Sequence, residues 1–295
     1  MKYLILVLLV LSCGKPKPAA KSIHDNPELD TKASNYAHMI TKHQDSHGFL
    51  TIGCDSLLFT SLLAAVTDMD IDVTAARDSS GAWHRQPDKR CFPLLSKSEI
   101  SRDMLIGVMF WAVYKNKLEP LESMRDYGKS HNWIMGEGDR TRTTFSANLY
   151  ELLDESIAYV KGDKFKGSDY LFATLPVTGF EAHLQTLNIL MVGKMRGKIT
   201  GEMFKALQRN LKRNPRNALF QYAVAKYSHG IMTAPIATLL KEELFPTVIL
   251  PNSTQRCTEY LWQREDDSDW MPCPGRGEEH TGMDLLFVYG LIKNG

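Results

Sequence analysis

An all-α fold, an α/α toroid of about six helical hairpins in a single domain, is what this sequence predicts, and three observations carry that expectation. From Thr31 onward apolar residues recur mostly at three- and four-residue spacing, and no alternating run of strand length is flanked by turn signals. Eleven segments have this helical period, close to six hairpins. Three of them follow long polar loops, carry Asp in the first turn and are apolar nearly all round afterwards, as the inner helices of a toroid would be.

In chain order the periodicity predicts helices over Thr31 to His43, Cys54 to Val66, Ser101 to Lys115, Pro120 to His131, Ser146 to Val160 and Glu181 to Met195. It then predicts Gly201 to Arg213, Asn217 to His229, Ile236 to Phe245, Thr254 to Arg264 and Met283 to Lys293. Tight connections alternate with long ones rich in Gly, Trp, Arg and Asp, over Asp68 to Ile100, Asn132 to Phe145 and Glu265 to Gly282. Loops of that length are usually functional or disordered, and their aromatic content argues against disorder. Gly53-Cys54-Asp55-Ser56-Leu57-Leu58-Phe59 aligns with Gly282-Met283-Asp284-Leu285-Leu286-Phe287, and Arg102-Asp103-Met104-Leu105 keeps the Asp. An acid in the first turn complements the helix dipole and can cap free N–H groups. In a toroid the same three acids, Asp55, Asp103 and Asp284, would also open into one pocket.

The chain begins with Lys2 and an apolar run from Leu4 to Leu11, too short to span a bilayer, which has the form of a secretory signal over residues 1–12. Val10-Leu11-Ser12-Cys13 resembles the bacterial lipobox. That resemblance implies cleavage before Cys13, acylation of Cys13 and anchoring to the cell envelope, with Gly14 after the cysteine implying the outer membrane. Residues 13–30 then read as a lipidated cysteine and a Pro- and Lys-rich spacer, and 31–295 as the domain.

With Lys2 removed, 34 basic residues balance 34 acidic ones, interleaved along the chain. A nucleic-acid partner is therefore not expected. Four further cysteines, Cys54, Cys91, Cys257 and Cys273, suit disulfides in an oxidising compartment. Of three connectivities the sequence-local one, Cys54 to Cys91 and Cys257 to Cys273, is favoured, each bridge contributing roughly 3–4 kcal/mol. There is no CxxC and no HExxH, and His280 is the only histidine near the second pair, so neither metal nor other cofactor is expected.

Ser98-Glu99-Ile100-Ser101-Arg102-Asp103-Met104-Leu105 resembles the Ser-Glu-Gly…Tyr-Gly-Met segment of family 8 glycosidases, over eight residues of the chain. The resemblance implies a general-acid role for Glu99. Ile100 and Arg102-Asp103 depart from that pattern. Glycoside hydrolysis needs two carboxyl groups, one protonated and one ionised; Glu99 or Asp103 is expected as the acid and Asp55 or Asp284 as the base. Trp83, His84 and Arg85 lie together in a Gly-containing loop, where a tryptophan face can stack on a sugar ring and His84 can act as a base. Arg102, Trp133, Arg140 and His280, from the other polar loops, complete the expected substrate contacts.

These readings point to a lipid-anchored glycoside hydrolase or polysaccharide lyase acting on an envelope or extracellular polysaccharide. A lyase would use His84 or Tyr127 as its base. The alternative is a non-catalytic envelope lipoprotein that binds a glycan or a protein partner.

Overall fold

The computed structural model describes residues 26–50, 56–87, 98–138, 141–164, 167, 170, 175–177, 179–228, 230, 232–242, 244–245 and 282–294. They form ten α-helices and one small hairpin: α1 (Pro27–Ile40), α2 (Ser56–Val66), α3 (Arg102–Tyr114), α4 (Leu118–Ser130), β1 (Ile134–Glu137), β2 (Arg142–Thr144), α5 (Ala147–Lys161), α6 (Gly179–Arg196), α7 (Gly201–Arg213), α8 (Ala218–Tyr227), α9 (Thr233–Leu240) and α10 (Met283–Asn294). The protein is thus mostly helical. The helix expected over Thr254 to Arg264 and all five cysteines, with the lipobox and the expected disulfides, lie outside the described residues.

Local chemistry explains where helix boundaries differ from the expected ones. α1 starts four residues early because the Asn26 side chain accepts from Leu29 N–H at 3.0 Å and Pro27 occupies the first helical position, where its missing N–H costs nothing. α9 begins at Thr233 rather than Ile236, with Pro235 in its first turn, and ends where Lys241 turns extended. The hairpin replaces part of a stretch expected to be loop. Its strands are four and three residues long and broken by a register shift between Ile134 and Gly136, too short to show a period of two in the sequence.

Contacts at the helix ends fix direction. Gly107 of α3 lies against Leu58 of α2, and Lys115 Nζ donates to Thr67 O at 2.8 Å, so α2 and α3 run the same way. Gly290 meets Val66 and Asn294 Nδ2 donates to Val66 O at 3.0 Å, which aligns α10 with α2. Tyr114, Gly193 and Tyr227, at the ends of α3, α6 and α8, line one cavity, and Tyr159 of α5 lies beside Tyr114. Six helices, α2, α3, α5, α6, α8 and α10, therefore share one direction. By contrast, α1 is antiparallel to α10, with Tyr36 at Gly282 and Lys293 paired to Asp30 at 2.8 Å. α4 is antiparallel to α5 through Glu122 and Lys161, and α7 to α6 through Asn210 and Gln185.

The like-directed helices pack in a closed circuit: α2 on α3, α3 on α5, α5 on α6, α6 on α8, α8 on α10 and α10 back on α2, with α3 also touching α6 across it. Because α2 and α3 are consecutive yet parallel, residues 67–101 must return the length of a helix before α3 can begin. The core sits among these helices. Every residue of α2 is buried, as is Met104 to Val113 of α3, which is why both are apolar all round rather than along one stripe.

Candidate active site

At the starting ends of α2 and α3 the chain builds a carboxylate–imidazole–carboxylate line. His84 Nδ1 lies 2.8 Å from Glu99 Oε2, and His84 Nε2 lies 3.0 Å from Asp78 Oδ2. The His84 side chain is 9% exposed, against 23% for Asp78 and 40% for Glu99, so the imidazole is the buried centre of the line and Glu99 its more open end.

Each member is held by backbone. Asp78 opens a turn in which its Oδ1 accepts from Ser80 N–H at 2.9 Å, Ser80 Oγ–H and Ala82 N–H, leaving Oδ2 for His84. His84 N–H donates to Ala76 O at 2.8 Å, and Arg85 N–H donates to Glu99 O at 3.1 Å, tying the two loop segments side by side. The hairpin supports Glu99 from the other side. Thr143 Oγ–H donates to Ile100 O at 2.6 Å, Ser98 N–H donates to Thr141 Oγ1 at 2.7 Å, and Gly136 leaves room for Ile100 and Ser98 to lie against β1.

Hydrogen-bond inventory limits what this line can do. Both imidazole nitrogens face carboxylate oxygens, so either both carry protons or one facing carboxyl is protonated. His84 has no ring nitrogen left for a substrate. His84, expected as a base, thus has both ring nitrogens against carboxylates, one of them Glu99. Oε2 of Glu99 is committed to His84, and Oε1 has no partner among the described residues, which makes Oε1 the exchangeable atom.

Tyr127, stacked on His131 at 4.0 Å, lies beside this group. Burial pushes its phenol pKa up, and the charges of Asp78, Glu137 and Glu99 push it further. A phenol held protonated donates hydrogen bonds; it is poorly suited to the base role expected in a lyase.

Other expected residues divide between the site and the packing. Asp103 is half-buried in the first turn of α3 with no hydrogen-bond partner among the described residues, four residues after Glu99. Asp284, 8% exposed, sits against Tyr36, whose phenol burial and Asp284 together push up, so this acid is turned toward α1. Arg102 donates to Thr144 O at 2.8 Å and secures the hairpin. Arg85 donates to Ser98 O at 3.2 Å.

Trp83, expected to face a sugar, is 2% exposed beneath the Arg77 guanidinium, a core anchor rather than a ligand platform. Trp133 is likewise a packing residue, parallel to Phe145, edge-on to Tyr150 and closed over Gly128. Asp55, Arg140 and His280 lie outside the described residues. Sequence reasoning missed Asp78 as a partner of His84. The Asp-Ser-Ser-Gly turn signature was visible, but nothing in it told which oxygen would be free for an imidazole six residues on.

Two described cavities, of about 680 and 510 Å³, lie at the opposite ends of the helices and include none of these residues. The chemistry, rather than cavity size, marks the Glu99 end as the candidate site. Comparison with known protein families, with curated proteins and with solved structures yields no match.

Proposed function

We propose that this protein is a lipid-anchored carbohydrate-active enzyme that hydrolyses an envelope or extracellular polysaccharide. The observation that carries the reading is the Asp78–His84–Glu99 line, in which a buried imidazole, held on its other side by the Asp78 turn, aims one solvent-facing carboxyl. A glycosidase needs such a group as its proton donor. In this reading Glu99 delivers a proton from Oε1 to the leaving glycosidic oxygen. A second carboxylate, Asp103 or Asp55, activates the attacking water. An inverting pair would stand roughly 6.5–9.5 Å apart.

The circuit of six like-directed helices supports reading the fold as an α/α toroid with α1, α4, α7 and α9 outside it. The described residues of 67–101 and 162–178 hold no α-helix at the two remaining outer positions. A toroid of this kind collects the starts of its inner helices at one end, where Glu99 and Asp103 lie. Lipidation at Cys13, attachment to the outer membrane and use of the Pro- and Lys-rich spacer belong to the same proposal and rest on the amino-terminal sequence.

The test is incubation of the full chain, in a non-ionic detergent, with peptidoglycan and a panel of neutral and acidic polysaccharides, following reducing ends and ultraviolet absorbance together. Reducing ends without new absorbance, lost in Glu99→Gln, are expected. Absorbance from an unsaturated product would replace hydrolysis by elimination. Equal release by wild type and Glu99→Gln would remove Glu99 from the mechanism, and silence across the panel would favour a binding lipoprotein.

A further inference from the structure

At the other end of the same helices, three lysines surround a cavity of about 510 Å³: Lys194 and Lys198 from the end of α6 and the turn after it, and Lys226 from the last turn of α8. None of the three pairs with a carboxylate among the described residues. Two tyrosines line the same cavity, Tyr114 and Tyr227, and the hydroxyl of each is buried with no hydrogen-bond partner. A buried hydroxyl without a partner is costly, and two are sealed within the residues that wall this cavity.

The chain has made room for this arrangement. The Tyr227 hydroxyl lies so close over Gly193 that a Cβ there would sit 1.8 Å from it, so only glycine admits the phenol to the cavity wall. Lys194 lies over the Tyr114 ring at 4.7 Å, and Lys226 donates to Tyr222 Oη at 3.4 Å. The two ammonium groups are near enough to oppose each other's charge: Lys226 is pushed down first by burial and then by Lys194.

Cations at helix ends also offset the carbonyl dipoles of α3, α6 and α8, but that role is too small for them. Each helix end carries about −0.5 charge, some −1.5 for three, against three whole positive charges. The surplus is positive.

We propose that this cavity binds a phosphate group, free or as the monoester of a small molecule. The donor set is three ammonium point charges, Lys194, Lys198 and Lys226, which can converge on a tetrahedral oxyanion from several directions. It lacks a free guanidinium fork, the usual partner of a planar carboxylate, since the neighbouring Arg196 is committed to Glu155 at 2.7 Å. The volume falls in the range of small-molecule sites. This site is distinct from the Glu99 end and does not depend on the reaction proposed there.

The experiment is calorimetric titration of the full chain in non-ionic detergent with inorganic phosphate, with glycerol phosphate and with acetate, alongside thermal melts. Phosphate is expected to bind and to raise the midpoint; glycerol phosphate binding more tightly than inorganic phosphate would assign the site to a monoester, and the reverse order to the free ion. Lys226→Met should weaken phosphate binding about tenfold while leaving the phosphate-free melting temperature unchanged or higher, because it removes a cation crowded by Lys194. Tyr227→Phe should leave both phosphate binding and phosphate-free stability undiminished, since it deletes a sealed, unpartnered hydroxyl. No heat with either phosphate probe, acetate binding as tightly as phosphate, or unchanged phosphate affinity in Lys226→Met would overturn the proposal.

Discussion

His183 gives the protein a built-in sensitivity to acid. It is fully buried at the start of α6, and burial holds its pKa down at about 3, against an ordinary value of 6.5. Its Nδ1–H donates to Gly179 O at 3.2 Å, and its Nε2 accepts from Asn217 Nδ2 at 2.8 Å. Asn217 in turn caps α8, its Oδ1 accepting from Leu219 and Phe220 N–H. A proton on Nε2 would point at an amide N–H and strip α8 of its cap partner. The folded state thus binds fewer protons than the unfolded one between about 3 and 6.5. Stability is fully present above pH 6.5 and falls as pH drops below it. Each unit is worth 1.36 kcal/mol, so acidification to about pH 4.5 costs roughly 2.7 kcal/mol from this group alone, about 5–10 °C in melting temperature for a chain of this size. The assay compares melts of wild type and His183→Gln across that range, because carboxylates elsewhere titrate equally in both. The Gln variant should lose less stability on acidification by about that amount, whatever its stability at neutral pH. Parallel pH profiles for the two proteins would refute the reasoning.

Glu155, 3% exposed, holds Arg196 through both carboxylate oxygens, at 2.7 and 2.8 Å, and accepts from Tyr170 Oη. Glu155→Gln leaves a guanidinium without its counter-charge and should cost roughly 3–5 kcal/mol, read from the denaturant midpoint. Gly107 allows α3 to approach α2 so closely that an added Cβ would lie 2.9 Å from Leu58 Cδ1 and 3.0 Å from its backbone carbonyl. The overpacking of Gly107→Ala, roughly 1–3 kcal/mol, should outweigh the gain of about 1 kcal/mol in helix propensity. Gly201→Ala, with open space around its Cβ, should be neutral or stabilising in the same thermal melts.

The helical period, the all-round apolar character of α2, α3 and α10 and the acids in the first turns of α3 and α10 were legible in the sequence, because a fully buried helix must be apolar on every face. The hairpin was hidden because strands of three and four residues lack a measurable period. Tertiary structure alone decided that His84 faces two carboxylates, that Trp83 is a core anchor and that Asp284 turns toward Tyr36. It also brought Lys194 and Lys226 together with two unpartnered phenols. Periodicity is set by which residues must leave water, and every residue carries that information locally. Which oxygen meets which nitrogen depends on how helices far apart in sequence align their ends, and no local pattern records it.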